Sequence, residues 1–269
     1  MPTDFSNTSD TALKIIQSYL TREHKIRDLE IEVNERTNPH AAYWLGVFHE
    51  EDGRYQQAGV WFGTAVVIAE LPEAQYKLGT LASKNDAVTA VEWYRLAAAQ
   101  EYPPAFLALG TAFWAGVGVE KDVPKSYDYF LKAAERGLAS AQYLVGVYFD
   151  EGRLGPSDPV LSHQWFTMAA HRGVMDAQFK LAVHFAYGVG CIRDFVAAYA
   201  WAIVCATGLR RSSISDPEKS AALESLHERL LSDGPADLES QAQPVWRALI
   251  SSGCLADCAA EGGTRNVAP

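Results

Sequence analysis

The 269 residues are 48% hydrophobic and 11% aromatic, too apolar a composition for a disordered chain. Acids outnumber bases 33 to 23, and a net charge of −10 argues against a chain that grips nucleic acid through its phosphates. No apolar run reaches the roughly 18 residues of a membrane helix, and the opening MPTDFSNTSD lacks the basic and apolar stretches of a secretory signal, so no membrane contact and a cytoplasmic location are expected.

In chain order, a helical pattern at 9–20 is followed by a charged helical stretch at 22–37 (TREHKIRDLEIEVNER). Then a pattern begins to recur. Gly46, Gly79, Gly110, Gly146 and the equivalent Ala182 are separated by 33, 31, 36 and 36 residues. Five positions before each stands Ala41, Ala74, Ala105, Ala141 or Ala177, and three before each stands Tyr43, Tyr76, Leu107, Tyr143 or Phe179. A second helix keeps the same step, with Trp61, Trp93, Tyr129, Trp165 and Trp201 each followed four and five residues on by a pair of mostly small residues. A large ring on one helix and a glycine or alanine on its neighbour let two axes approach closely, and stacking such pairs buries one continuous core.

The connectors WAGVGVEKDVP (114–124), EGRLGPSDP (151–159) and YGVGCIRD (187–194) follow the first helices. Gly116, Gly152 and Gly188 suit left-handed helix exits, and Asp122, Asp158 and Asp194 suit the caps of the helices that follow, with Pro124 and Pro159 in their first turns. Beyond the repeats, Asp216 and Pro217 open a helix over about 217–231, and another is expected over about 236–251.

Residues 105–137 and 141–173 read A-x-Y/L-x-L/V-G, then aspartate, an aromatic pair and A-A-x-x-G, and this resembles the Sel1-like repeat family, relatives of the tetratricopeptide repeats. The resemblance implies an all-α fold, a right-handed solenoid of antiparallel helix pairs wound as a tetratricopeptide-like superhelix. It places five repeats in 40–209, a degenerate capping repeat in 1–39, closing helices in 210–260 and a disordered tail in 261–269. In the cap, Leu29 and Val33 take the places of Trp93 and Ala97.

Chemistry-bearing motifs are sparse. GVGV at 116–119 and GVGC at 188–191 follow helices and recur with the repeat, whereas a phosphate loop follows a strand, so they are expected to be turns. The seven histidines form no H-x-x-x-H or HExxH pair, and His184 with Cys191 seven residues on is a weak ligand set. Cys254 and Cys258 are one helical turn apart with nothing nearby to complete a metal site, and Cys191 and Cys205 read as free or buried thiols. No catalytic residue, metal or cofactor is therefore expected. The run Glu50-Glu51-Asp52 reads as a solvated helix end.

On each first helix, the residues two before and two after the glycine anchor share a stripe roughly opposite that anchor. They are Trp44 and Phe48, Lys77 and Leu81, Ala108 and Ala112, Leu144 and Tyr148, and Lys180 and His184. Their chemistry varies between repeats, and the resemblance implies that they line a concave groove. Trp44, Phe48, Lys77, Leu81, Leu144, Tyr148, Lys180 and His184 are accordingly candidate partner-binding residues, the two lysines facing a partner's carboxylates, with packing against neighbouring helices as the other use of the same side chains. The family resemblance implies a non-enzymatic, protein-binding chain: an adaptor or scaffold, or alternatively a dedicated inhibitor such as a cytosolic immunity protein against a bacterial toxin or effector. A hydrolase of the cysteine-rich repeat type is a third reading, against which stands the lack of regularly paired cysteines.

Overall fold

Glycine or alanine in the middle of a helix costs side-chain packing unless a neighbour fills the space, and here the second helix of each pair does so. In the computed structural model, which describes residues 22–212 and 216–253, every regular element is a helix and no strand occurs among the described residues. The helices are α1 (22–36), α2 (Pro39–Glu51), α3 (Tyr55–Ala69), α4 (Pro72–Ala82), α5 (Ala87–Ala99), α6 (Pro103–Ala115), α7 (Val123–Glu135), α8 (Ala139–Glu151), α9 (Pro159–His171), α10 (Met175–Tyr187), α11 (Phe195–Arg211), α12 (Pro217–Asp233) and α13 (Leu238–Ser251). The helix expected at 9–20, the tail after 260, Cys254 and Cys258 lie outside the described residues.

The starts and stops follow local chemistry. Asp122 accepts the Lys125 N–H at 2.9 Å, Asp158 those of Val160 and Leu161 at 3.1 and 3.0 Å, and Asp194 that of Ala197 at 2.9 Å. Each satisfies amides that the first helical turn leaves without partners. Asp86 and Asp216 do the same for α5 and α12. Gly116, Gly152 and Gly188 leave their helices with φ of +70°, +63° and +71°, as their positions imply.

The chain divides into two compact units, one running to Ala105 and including Val117–Val119, the other made of Phe106–Gly116 and the residues from Glu120 onward. In the first, α2 packs on α3, α3 on α4 and α4 on α5. Its core contains Leu45, Ala58, Phe62, Ala65 and Ala74, and α1 reaches it through the buried Val33. In the second, consecutive helices from α7 to α12 pack on one another, and α13 also lies on α11. Leu181, Val204, Leu226, Leu230 and Leu238 are buried there. Burying each such side chain contributes about 1.5–3 kcal/mol.

The ring that fills the glycine notch is not the one the repeat singles out. A Cβ added at Gly79, Gly110 or Gly146 would fall 2.5, 2.5 or 2.7 Å from the nearest ring atom of Tyr94, Phe130 or Phe166, and Phe62 fills the Gly46 notch likewise. These are the residues immediately after Trp93, Tyr129, Trp165 and Trp61. The helical rotation of one residue turns Trp61, Trp93, Tyr129 and Trp165 to partly exposed flanks, while Trp201 is buried. Four residues before the anchor, Gln75, Gln142 and Gln178 are buried, a position that the repeat pattern does not single out. Gln142 Nε2 donates to Ala134 O at 3.2 Å and Gln178 Nε2 to Ala170 O at 3.3 Å, so α8 and α10 each cap a carbonyl at the end of the second helix before them.

The connectors are structural. A Cβ on Gly118 would overlap the Ala87 carbonyl, and one on Gly190 the Pro159 carbonyl. Each loop thus lies with bare backbone against the start of the preceding second helix, and both glycines have positive φ, +72° and +65°.

Candidate functional site

The eight stripe residues occupy the first helices, but their surroundings divide them. Trp44 is 53% exposed on α2, its ring edge-on to Tyr43 with centroids 5.6 Å apart. One turn on, Phe48 is partly buried beneath the Arg22 guanidinium, 5.2 Å from its centroid, and Arg22 also donates to Phe48 O and to Glu51. Leu81 leans on the core of the first unit. Leu144 is partly exposed on α8.

Tyr148 and His184, expected on the surface, are 3% and 2% exposed. The Tyr148 ring is walled by Trp114, Tyr127 and Phe130 at centroid distances of 5.8, 5.5 and 6.0 Å, and its hydroxyl lies 3.0 Å from Ser126 Oγ, which itself donates to Gly110 O. Arg153 lies over Trp114 at 4.2 Å, closing this cluster. His184 takes the same place one repeat later, stacked on His163 at 5.7 Å and edge-on to Phe166 at 5.4 Å. Both are repeat-packing residues. The stripe opposite the glycine is broad enough that its last position turns toward the preceding second helix, α7 for Tyr148 and α9 for His184, rather than toward solvent.

The two lysines also differ from expectation. Lys77 Nζ is 2.7 Å from Glu50 Oε2, and Lys180 Nζ is 2.8 Å from Asp150 Oδ2. Glu50 and Asp150 each stand four residues after the glycine of the preceding first helix, so the two pairs are one device used twice, tying a first helix to the next. These lysines are held by the chain's own carboxylates, which leaves a partner's acids without the counter-charge that sequence analysis assigned to them. Acid at this position and lysine in the next repeat coincide at only these two steps, the signal by which the pairs were findable. The run Glu50-Glu51-Asp52 is likewise paired, with Arg22 3.1 Å from Glu51 and 3.0 Å from Asp52.

Asp150 also has His184 Nε2 3.4 Å from Oδ1. The hydrogen bond from His184, followed by the hydrogen bond and charge of Lys180, holds its carboxyl at about 2 against the cost of burial. His163 is shifted the other way: burial first, then the His184 charge, lowers its pKa. Cys191 Sγ donates to the His184 backbone carbonyl at 3.5 Å, not to its imidazole, and burial raises the thiol pKa of Cys191 and pushes that of Cys205 up to about 12. Among the described residues no three His, Cys, Asp or Glu side chains stand where they can share a metal ion, and no helix is long and apolar enough to cross a membrane.

In the first unit, Tyr43, Tyr76 and Tyr102 gather between α2 and the end of α5, Tyr76 and Tyr102 with centroids 5.6 Å apart. Burial raises all three phenols, Tyr76 to about 12, and the charge of Glu73 in the first turn of α4 raises Tyr43 and Tyr102 further. This ground beside Trp44 is aromatic and negatively charged.

The Sel1 repeat model matches residues 72–102, 105–138, 139–174 and 176–203. A Sel1 repeat protein from Oxalobacter formigenes, 28% identical, superposes with a TM-score of 0.66 over 75% of this chain and 58% of that one. The protective antigen c5321 of uropathogenic Escherichia coli, 23% identical, shares the fold with a TM-score of 0.68 over 87% of this chain and 51% of its own. Chitin synthase regulatory factor 3 of Schizosaccharomyces pombe is 36% identical over 102 residues, which are 36% of this chain and 10% of that protein. This chain therefore matches only a tenth of that regulator's length. Nearly half of this chain, within residues 72–203, thus consists of four Sel1 repeats.

Proposed function

We propose that this chain is a protein-binding adaptor that holds its partner on the outward face of its first helices. The carrying observation is Trp44, a large ring left 53% exposed on a first helix whose Ala41, Ala42, Leu45 and Gly46 are buried. An exposed tryptophan next to other rings is the kind of side chain on which interface energy concentrates. Leu144 supplies a second, smaller apolar position in the other unit. Support comes from the family, and from the likeness of part of the chain to a protein named as a regulatory factor. The tempting GVG motifs belong to turns that a side chain would disrupt, which favours binding over phosphate chemistry.

The test is photo-crosslinking in the source cells with benzoylphenylalanine at Leu81, at Leu144 or at Val67, the last exposed on the second helix α3. A discrete protein adduct from either first-helix site and none from Val67 supports the proposal. Adducts from Val67 alone would place the working surface on the second helices and end it.

A further inference from the structure

Resting on that reading, we infer that the partner segment lying across Trp44 is basic, presenting an arginine or lysine to the ground between α2 and α4. Several of this chain's surface rings carry its own cations. Arg22 lies over Phe48 at 5.2 Å and Lys84 over Tyr55 at 3.5 Å, and in the second unit Arg153 lies over Trp114 at 4.2 Å and Arg193 over Phe195 at 4.4 Å. Among the described residues no cation lies over Trp44, although it is the most exposed tryptophan. The nearby Lys77 cannot serve, because Glu50 holds it at 2.7 Å.

Beside the ring, the Lys77 charge is offset by Glu50, and the Glu73 carboxylate is left over. Glu73 joins no ion pair among the described residues, and its charge acts on the hydroxyl of Tyr43, the ring edge-on to Trp44. A guanidinium laid on the open indole face is attracted by the ring's negative face, and its N–H groups can reach toward a carboxylate at the same time. An acidic segment would instead be repelled by Glu73. The excess of acids over bases in the whole chain, 33 against 23, draws a basic segment in and repels an acidic one.

The test uses the whole chain with tryptophan indoles labelled with 15N and three peptides of about a dozen residues. All have one glycine–serine frame and carry several arginines, glutamates or glutamines. Affinity is read by fluorescence anisotropy at moderate salt, and the Trp44 indole signal, assigned through Trp44→Phe, is followed by NMR. The arginine peptide should shift that signal, and should bind about tenfold more weakly to Trp44→Ala and several-fold more weakly to Glu73→Gln. Both side chains lie outside the core, and circular dichroism checks that each variant keeps its helices.

Three results would overturn the inference. They are equal binding of the glutamate peptide, an arginine-peptide affinity indifferent to both substitutions, and an unmoved Trp44 signal. A Trp44 signal that shifts with protein concentration alone, with a dimer lost in Trp44→Ala, would assign the face to a second copy instead. If the crosslinking at Leu81 or Leu144 succeeds while the peptides fail, the adaptor reading stands and only the basic partner is lost; failure of both removes both.

Discussion

Phe166 fills the notch at Gly146 so closely that a Cβ there would fall 2.7 Å from the nearest ring atom. Ala182 and Ala202 hold the equivalent positions one repeat later, both buried in the same core. Where the glycine has gained a methyl group, the opposing ring has been reduced to one. Gly110, set against Phe130 at 2.5 Å, should therefore tolerate no side chain, and Gly110→Leu should cost about 2–5 kcal/mol. Gly146→Ala should cost about 1–3 kcal/mol, and adding Phe166→Leu should return part of that loss, so the pair is non-additive in a double-mutant cycle read by urea unfolding.

The Asp150 carboxylate serves both Lys180 and the buried His184. Removing it should cost more than removing the lysine: about 1–3 kcal/mol for Asp150→Ala, which strands a buried imidazole, against under about 1 kcal/mol for Lys180→Met. The folded state holds this carboxyl at about 2, below its ordinary value of 3.8. Its contribution is thus present above about pH 4 and lost as pH falls toward 2. The stability gap between the wild type and Asp150→Asn should close over that interval in acid unfolding curves.

His163 and His49 both bind protons less readily folded than unfolded, His163 through burial and the His184 charge, His49 through burial and Arg54. Between their lowered values and about 6.5 the unfolded chain takes up more protons, so stability declines as pH falls through this range. The melting temperature should drop from about pH 7.5 to about 5.5, and His163→Gln should flatten that slope.

The loop glycines make a separate expectation. Gly118→Ala and Gly190→Ala each force a methyl group onto a backbone carbonyl from a positive-φ position, and each should lower stability by about 1–3 kcal/mol in thermal unfolding. Pyrophosphate added to the wild type should release no binding heat, because these loops meet helix starts rather than an anion.

Sequence periodicity carried most of the fold because one short pattern repeats: glycine at the helix contact, aspartate at the cap, glycine at the exit. The closing helices, expected at 217–231 and 236–251, run over Pro217–Asp233 and Leu238–Ser251. What the pattern hid was facing. Trp93 and Tyr94 are adjacent, and the more conspicuous ring drew attention from the one on Gly79, since one residue is 100° of rotation. The stripe was harder to read for the same reason: Tyr148 and Trp44 look alike in sequence, but Trp114 and Tyr127, from neighbouring helices, close over Tyr148. Lys77 and Lys180 were misread because their partners lie 27 and 30 residues earlier, a separation at which no local pattern speaks.

The most direct test of the account is the affinity of a captured partner for two variants of the first unit, Trp44→Ala on α2 and Val67→Asp on α3, both at exposed positions. With helicity unchanged in each, Trp44→Ala should weaken binding by about tenfold or more, and Val67→Asp should leave it within about twofold. Normal binding by Trp44→Ala together with loss in Val67→Asp would contradict the claim that the first-helix face does the binding.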